Sequence, residues 1–216
     1  MTPRSSSRGQ FITFEGGEGA GKSTQIKRLA ETLQKRGHDV VLTREPGGSP
    51  GAEAIRKLLV EGEPGRWDGI TETLLFAAAR RDHVERTIRP ALAQGSWVLC
   101  DRFMDSTIAY QGCGAGVDLA LVRRISTDAA GDIIPDLTLI LDLPVAVGLA
   151  RAAGREGGED RFERKGAEFH TRLRDGFLAI AKAEPHRCVV VNASGTPDAV
   201  AEAISKIVSE RLNSAA

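Results

Sequence analysis

The chain has 216 residues, of which 41% are hydrophobic and 27% are charged, a length and composition that suit one domain with a well-buried core. Its 29 basic and 29 acidic residues balance, so we expect neither a nucleic acid nor a membrane as a partner. The three cysteines are far apart and lack the C-x-x-C spacing of a zinc site, which favours a reducing compartment, the cytoplasm.

The N-terminal segment is rich in Ser, Arg and Pro and has no apolar signal-peptide core. Residues 1–9 are therefore predicted to form a flexible tail, followed by a single domain over residues 10–214. No later apolar run approaches the length of a membrane span.

A glycine-rich segment separates a predicted strand, which begins at Phe11, from a predicted helix. Gly16, Gly21, Lys22 and Ser23 match the pattern G-x-x-x-x-G-K-[ST], in which backbone N–H groups surround a polyphosphate. The helix opening at Lys22 adds its own N–H groups and the positive end of its dipole. We therefore predict a phosphate-binding loop, with Lys22 on the β- and γ-phosphates and the Ser23 hydroxyl on Mg²⁺.

Apolar runs and helical periodicity alternate along the rest of the chain. Further strands are predicted at 40–43, 97–100, 137–141 and 188–192, and helices at 25–35, 52–60, about 71–90 and from 196 onwards. The strand at 40–43 is expected to be buried. This alternation predicts a three-layer α/β/α fold of the P-loop NTPase type, with a parallel sheet and ligands at the carboxyl ends of the strands.

Two helices carry specific expectations. The helix at 71–90 is predicted to be capped by Thr71 and broken or kinked by Pro90. Its predicted apolar face consists of Leu74, Leu75, Ala78, Val84 and Ile88. The final helix begins at Thr196 and Pro197. Its predicted buried residues are Val200, Ala203, Ile204, Ile207 and Val208.

A basic, glycine-containing segment at about 151–163 interrupts helical pattern on both sides. Arg151, Arg155, Arg161 and Arg164 lie around three glycines, so the segment could close over phosphates as a lid. A solvated charged turn is the alternative, because charge clusters usually face water.

The motifs distinguish among the classes of P-loop protein. A GTPase would need an N-K-x-D guanine-reading motif, which the sequence lacks. A single domain with a basic lid and polar residues at strand ends suits transfer between two small molecules.

The sequence resembles the thymidylate kinase family of nucleoside monophosphate kinases from Phe11 to about Leu212. The resemblance rests on several motifs: FEGGEGAGKST at the phosphate-binding loop, TREPGG at 43–48, LFAAAR at 75–80, DRF at 101–103 with Ser106, AYQ at 109–111, and DRFE at 160–163. It implies ATP- and Mg²⁺-dependent phosphorylation of dTMP to dTDP for dTTP synthesis, a five-stranded parallel sheet and a homodimer.

The resemblance also implies the residues of each site. The ATP-binding loop would comprise Gly16, Gly17, Glu18, Gly19, Ala20, Gly21, Lys22, Ser23 and Thr24. The dTMP site would comprise Glu18, Arg44, Phe76, Arg80, Arg102, Ser106, Thr107, Tyr110 and Gln111. Catalysis would involve Lys22, Arg102, Arg155, Arg151 and Asp101, with Ser23 and Asp101 near the metal.

The side chains make physical sense in these roles. Phe76 and Arg80 are four residues apart on one helix face, so the ring can stack on thymine while the guanidinium donates to O4. Arg44 and Arg102 follow strands and match the family positions that hold the acceptor phosphate. A surface cation–π pair and ordinary ion pairs are the alternatives.

Glu18 is unusual because a carboxylate in an anion-binding loop repels the ligand. The resemblance implies that Glu18 accepts a hydrogen bond from the 3′-hydroxyl of dTMP, with a lid arginine as a possible second partner. It also implies that Tyr110 packs where a ribose 2′-hydroxyl would project. Because the loop lacks a basic residue at positions 18–20, we expect a lid arginine, first Arg155 and then Arg151, to supply the missing charge.

Two other functions stay open at this point. One is a kinase for a different monophosphate or a nucleoside on the same scaffold, although the two arginines favour a phosphorylated acceptor. The other is a nucleotide-dependent switch that binds ATP and a protein partner. ATP turnover that no nucleoside monophosphate affects would favour the switch.

Overall fold

The computed structural model describes residues 8–63, 65–153, 162 and 165–212. A five-stranded parallel sheet lies at the centre in the order β2-β3-β1-β4-β5. The strands are β1 (Phe11–Glu15), β2 (Val40–Arg44), β3 (Trp97–Asp101), β4 (Leu137–Asp142) and β5 (Cys188–Asn192). The predicted α/β class and all five strands are confirmed.

Helices connect successive strands. They are α1 (Lys22–Lys35), α2 (Pro50–Val60), α3 (Gly69–His83), α4 (Arg89–Ala93), α5 (Met104–Thr107), α6 (Leu119–Ala130), α7 (Val145–Ala152), α8 (Ala167–Ala183) and α9 (Pro197–Leu212). Two π-helical turns, Val84–Ile88 and Ile108–Gly114, extend α3 and α5.

Alternating side chains of the strands send apolar groups to both sheet faces. On one face Ile12 and Phe14 pack in the cluster that includes Leu29 of α1 and Ile204 of α9. On the other face Phe11 belongs to a cluster with residues around α4, and a further cluster joins β4 to α8. This arrangement is the three-layer architecture that the sequence predicts.

We expected the strand at 40–43 to be buried. It instead forms the edge of the sheet. In β2 only the partner β3 supplies hydrogen bonds, and Leu42 is 47% exposed. A continuous apolar run therefore misled the prediction, since periodicity does not distinguish a central strand from an edge strand.

Helix α3 differs most from its prediction. Asp68, rather than Thr71, caps the helix, because its carboxylate accepts hydrogen bonds from the backbone N–H groups of Ile70 and Thr71. Leu74 and Ala78 are exposed, although both were assigned to the apolar face. The buried residues of this helix include Glu72, Thr73, Arg80 and His83.

Pro90 does not end the long helix. The π-helical turn at 84–88 precedes Pro90, which occupies the first turn of α4, where its missing N–H costs no hydrogen bond. Val84 and Ile88 are buried as predicted. In α9, Val200, Ile204 and Val208 are buried, but Ala203 is exposed, contrary to the prediction.

Residues 8 and 9, which precede the predicted domain start, lie within the described part of the chain. Gly9 is buried and donates its backbone N–H to the carbonyl of Leu92, and Arg8 forms an ion pair with Asp136. Two residues of the predicted tail therefore contact the rest of the chain. Within the described part of the chain, no helix combines the length and apolar character needed to cross a membrane.

Candidate active site

A cavity of about 370 Å³ opens at the carboxyl ends of β1, β2 and β3. It brings together most residues that the sequence assigned to the two substrates. Those lining it are Glu18, Gly19, Ala20, Gly21, Lys22, Ser23, Arg44, Phe76, Arg80, Asp101, Arg102, Ser106, Thr107, Tyr110 and Gln111. Gly16 and Gly17 line a smaller cavity behind the loop, and Thr24 is an exposed residue of α1.

The phosphate-binding loop has the backbone conformation that its glycines permit. Gly19 has φ of 68°, and a Cβ atom there would lie 2.1 Å from the carbonyl oxygen of Gly148 in α7. Only glycine fits such a contact. The loop is thus packed directly on the helix that ends with Arg151 and Ala152.

Lys22 extends over this loop. Its Nζ donates to the carbonyl oxygens of Gly16 and Gly17, at 3.2 and 2.9 Å. Burial and the nearby Arg102 charge lower the pKa of Lys22 to about 8, against the opposing effect of Glu18. The ammonium is therefore still largely charged at neutral pH and lies where a polyphosphate would bind.

Ser23 and Asp101 form a pair of hard oxygen ligands. The Ser23 hydroxyl donates to Oδ2 of Asp101 over 2.9 Å, and both residues line the cavity. Among the described residues, no group of three or more His, Cys, Asp or Glu side chains is arranged to hold a metal. Mg²⁺ needs no such cage, because it usually binds one or two protein oxygens together with phosphates and water.

Arg102 joins the phosphate-binding loop to the segment after β3. Its Nη1 donates to the carbonyl of Gly16 at 3.1 Å and to the hydroxyl of Ser106 at 3.2 Å. Its Nη2 donates to Glu18 at 3.0 Å. The Arg102 backbone has φ of 70°, a left-handed conformation that non-glycine residues rarely adopt and that is often found at functional sites.

Glu18 is held as a carboxylate. Its Oε1 accepts from Arg102 and, at 2.5 Å, from the hydroxyl of Tyr110. Burial alone raises the pKa of Glu18, but the charges of Arg102 and Lys22 and the Tyr110 hydrogen bond lower it to about 2. The acidic residue that seemed misplaced in an anion site is thus compensated by two cations.

A second acidic residue, Glu15, supports the site from below. It is fully buried at the end of β1 and accepts hydrogen bonds from the N–H of Phe103 at 2.8 Å and the hydroxyl of Ser106 at 2.5 Å. Burial, followed by the negative charge of Asp105, raises the pKa of Glu15 to about 8. The loop containing Arg102 is thereby fixed to the strand that starts the phosphate-binding loop.

The far end of the cavity contains an aromatic ring and two buried polar groups. Phe76 lies there with Phe162, their ring centroids 6.1 Å apart. Arg80 and Gln111 each retain one buried polar atom, Nη1 and Oε1 respectively, without a hydrogen-bond partner among the described residues. Such unpaired groups are costly unless a ligand satisfies them.

The remaining predicted residues have weaker or no structural support. Arg44 is largely exposed and pairs with Glu53 at 3.3 Å, although it lines the cavity. Arg151 is exposed on α7. Arg155 and Arg161 lie outside the described residues, as does most of the predicted lid.

Known proteins match the chain over nearly its whole length. A family model described as thymidylate kinase matches residues 14–204. The thymidylate kinase of Caulobacter vibrioides is 61% identical over 205 residues, which cover 95% of this chain and 98% of that protein. The chain belongs to the thymidylate kinase family.

Two further comparisons agree. The thymidylate kinase of Bradyrhizobium sp. strain ORS 278 is 56% identical over 97% of this chain and 93% of its own. A crystal structure of thymidylate kinase from Ehrlichia chaffeensis has a TM-score of 0.76 at 40% identity and covers 94% of this chain and 99% of that one. Thymidylate kinases are ATP-dependent, and the activity of this member is phosphorylation of dTMP to dTDP in dTTP biosynthesis.

Sequence reasoning missed several residues of the thymidylate kinase site. Glu45, Arg56 and Phe162 line the cavity, and Glu15 lies beneath it. Glu45 and Phe162 fall inside family motifs, which is the signal that could have found them. Nothing in the local sequence indicates that Arg56, on α2, lines the cavity, where its Nη1 donates to the carbonyl of Pro46 at 2.6 Å.

Proposed function

We propose that the cavity holds dTMP and the terminal phosphates of ATP side by side, with Arg102 between them. One observation carries this assignment: Arg102 contacts the phosphate-binding loop through Gly16 and Glu18 and the acceptor side through Ser106. Donor and acceptor cradles thus share one guanidinium. This suits phosphoryl transfer, in which positioning and charge stabilisation provide most of the rate.

The donor phosphates lie on the loop and the N-terminus of α1. Lys22 exchanges its contacts with the Gly16 and Gly17 carbonyls for phosphate oxygens, and backbone N–H groups complete the cradle. The Ser23 hydroxyl and the Asp101 carboxylate hold Mg²⁺, directly or through water. When bound, the ion neutralises charge on the β- and γ-phosphates.

The acceptor phosphate binds Arg102 and Arg44. Both are planar forks at the ends of neighbouring strands, a geometry that suits a phosphate. Arg44 exchanges a solvent-exposed pair with Glu53, which is a weak interaction, for the phosphate. Arg102 is already oriented, because Ser106 and the Tyr110 ring, 4.9 Å from its Cζ, fix its position.

The thymine base stacks on Phe76 and is read by Arg80 and Gln111. The Nη1 donor of Arg80 pairs with O4, and the Oε1 acceptor of Gln111 pairs with the N3–H. Thr107 does not need to contact the base, because its hydroxyl accepts from Nη2 of Arg80 at 2.9 Å and holds the guanidinium in place.

The deoxyribose is bounded by Glu18 and Tyr110. Glu18 is ionised at neutral pH, so its second carboxylate oxygen, Oε2, accepts a hydrogen bond from the 3′-hydroxyl. The Tyr110 ring occupies the place of a ribose 2′-hydroxyl, and its own hydroxyl is held by Glu18. Tyr110 therefore excludes ribonucleotides by bulk.

An assay of ADP release tests the assignment. With ATP saturating, we expect turnover with dTMP to exceed that with dUMP, UMP and GMP, and no turnover with thymidine, which lacks the phosphate for Arg102. ATP turnover that is independent of any nucleoside monophosphate would contradict the proposal and favour a switch. Omitting Mg²⁺ and adding a chelator should abolish transfer, with readdition restoring it.

We also propose a homodimer, as the resemblance implied. Ile70, Leu74 and Ala78 form an exposed stripe at spacing i, i+4, i+8 on α3, with Ile70 and Leu74 at least half exposed. A second copy covering this stripe would account for apolar groups that the helix does not bury in its own chain. We keep residues 10–214 as the kinase domain and the cytoplasm as its location.

A further inference from the structure

Two carboxylates lie behind the base-reading groups, and neither has a role in the reaction so far. Glu45 and Glu72 are 6% and 2% exposed. Glu45 accepts from Nε of Arg80 at 2.8 Å, and Glu72 accepts from Nε2 of Gln111 at 3.1 Å. Each carboxylate thus contacts one of the two side chains that retain an unpaired buried atom.

Glu72 dictates which end of the Gln111 amide faces away from it. The NH₂ group of Gln111 donates to a carboxylate oxygen of Glu72, so Oε1 lies at the end of the amide that is turned away from Glu72. Oε1 is the atom left without a partner among the described residues. Gln111 lines the cavity, and its Oε1 is a buried acceptor beside the proposed base site.

Glu45 has the complementary effect on Arg80. It takes the Nε hydrogen, while Thr107 takes one from Nη2, which leaves Nη1 as the unpaired donor. Glu45 is itself held, because its other oxygen is 3.0 Å from Nδ1 of His83, whose Nε2 contacts Thr43 at 2.6 Å. The Arg80 guanidinium therefore cannot rotate without breaking several buried hydrogen bonds.

We infer that Glu72 and Glu45 are positioning residues of the base site: Glu72 fixes which end of the Gln111 amide faces the base, and Glu45 fixes the orientation of the Arg80 donor, and together they select thymine and uracil against cytosine. This inference rests on the proposed function. Thymine and uracil offer an O4 acceptor beside an N3–H donor, which matches the Arg80 donor and the Gln111 acceptor. Cytosine offers an N4 amine donor beside an N3 acceptor, so both contacts would oppose like groups.

The size of the expected discrimination follows from burial. A buried polar site strongly rejects a substrate that cannot pair with it, because the desolvated polar groups are then left without hydrogen bonds. An apolar pocket rejects a poorly fitting substrate far less strongly. A reorientable amide would relieve that penalty. The polarity at Gln111 is thus determined by Glu72 as well as by the amide itself, and the direction of the Arg80 donor is determined by Glu45.

Glu72→Gln is the main test, because it preserves shape and removes the acceptor-only property. The new amide can donate to Oε1 of Gln111, so Gln111 can turn its NH₂ toward the base. We expect the ratio of kcat/KM for dTMP over dCMP to fall roughly tenfold or more. The change should lie mainly in KM, and the dTMP to dUMP ratio should stay within about twofold, because both bases share the same edge.

Glu72→Asp is the matched variant that retains acceptor-only chemistry. It should keep the parent preference for dTMP over dCMP, even if overall activity falls. Glu85→Gln, an exposed change just after α3, should leave kcat/KM unchanged for all three substrates. Glu45→Gln tests the orientation of Arg80, which donates whatever its partner. It should raise the KM for dTMP and dUMP, which lose the O4 contact, more than that for dCMP, and it provides the answer if Glu72→Gln does not fold.

Some results would overturn the inference. If Glu72→Gln lowers activity equally for dTMP, dUMP and dCMP, Glu72 only supports the structure. If the ratio of kcat/KM for dTMP over dCMP is unchanged in both Glu→Gln variants, the two carboxylates likewise only support the structure. Failure of the parent enzyme to prefer dTMP over dCMP would instead reject the proposed base site, so the two failures are distinguishable.

Discussion

At the scale of single residues, the site is an arrangement of compensated charges. Lys22 and Arg102 surround Glu18, and the Tyr110 hydroxyl completes its coordination. A substrate phosphate enters a region where cations are already desolvated and oriented, so electrostatic interactions there are stronger than in water. The acidic Glu18 offsets part of the repulsion between these cations before the substrate binds.

Lys22→Ala should lower phosphoryl transfer by roughly 100-fold or more, the scale of a lost preorganised charge at the reacting phosphates. The fold should persist, because the hydrogen bonds of Lys22 within the described part of the chain go to the loop carbonyls of Gly16 and Gly17. Steady-state turnover and circular dichroism test both expectations. Lys27→Ala, on the exposed side of the same helix, is the control and should behave like the parent. Near-normal turnover in a folded Lys22→Ala protein would remove Lys22 from the mechanism.

Tyr110→Ala should relax the selection of deoxyribose. The Tyr110 ring is buried among Phe162, Phe169 and Phe177, so removing it leaves room for a 2′-hydroxyl. We expect the kcat/KM ratio of dUMP over UMP to fall roughly tenfold, the scale of a small steric contact. Tyr110→Phe keeps the ring and should keep the ratio. An unchanged ratio in Tyr110→Ala would mean that the tyrosine is not the gate.

Glu15 should make the stability of the protein depend on pH. Its folded pKa of about 8 lies above the ordinary value of 4.5, so the folded state keeps a proton that the unfolded state releases. Stability therefore decreases as pH rises from about 5 to 8, because the folded state binds more protons in this window. Glu15→Gln mimics the protonated form, so the stability of this variant should decrease less over the same pH range. Urea denaturation of both proteins at pH 5, 6, 7 and 8 measures the difference; parallel curves would contradict the assignment.

At the scale of elements, α3 and α7 adapt to the cavity instead of following simple amphipathic rules. The face of α3 that faces the protein interior includes Glu72, Arg80 and His83, because that side borders a polar ligand site. Helix α7 approaches the phosphate-binding loop through Gly148, whose Cβ would lie 2.5 Å from the Glu18 carbonyl. Arg151 follows three residues later, on the same helix.

The lid prediction belongs to α7 and the segment after it. A loop without its own arginine leaves the transferring phosphate short of one cation, which a lid arginine should provide. Arg155→Ala, Arg151→Ala and Arg161→Ala are to be assayed at saturating ATP and dTMP. Loss of the acting arginine should lower kcat by about 1,000-fold with little change in the KM for dTMP.

The control for the lid is Arg124→Ala, which removes an exposed arginine from α6 and should have no effect. If all three lid variants retain kcat within a few-fold of the parent, the lid does not supply the charge. Arg102 would then be the remaining candidate, since it already contacts the phosphate-binding loop.

At the scale of the whole molecule, the sheet order brings together the residues proposed to bind the two substrates. β1 and β3 are neighbours and β2 pairs with β3, so the residues at their carboxyl ends meet in one cavity. The exposed stripe of α3 lies outside that cavity, although Phe76 and Arg80 of the same helix line it. A dimer through the stripe would therefore support the helix that reads the base.

Leu74→Asp should convert the protein from a dimer to a monomer, because a buried unpaired carboxylate in an apolar contact is costly. Light scattering during size-exclusion chromatography measures the mass, which should be twice that of the chain for the parent. Val190→Asp, on the edge strand β5, is the matched control and should remain dimeric. A monomeric parent, or a dimeric Leu74→Asp variant, would reject this interface.

The sequence by itself determined the five strands, the phosphate-binding loop and the family, because each depends on residues that are contiguous or regularly spaced. Gly16, Gly21, Lys22 and Ser23 act within one turn, so their spacing is sufficient to recognise the loop. Strand identity similarly follows from short apolar runs. The motifs also located most residues that line the cavity.

Only the tertiary structure decided which helix faces are buried and which side chains act through others. Periodicity assumes that the buried side of a helix is apolar, so it placed Leu74 inside and did not place Glu72 there. A helix beside a polar cavity reverses that assumption. The contacts of Arg102 with Glu18, and of Glu72 with Gln111, join residues that are 84 and 39 positions apart. Such contacts depend on how the sheet and helices pack, which local sequence patterns do not encode.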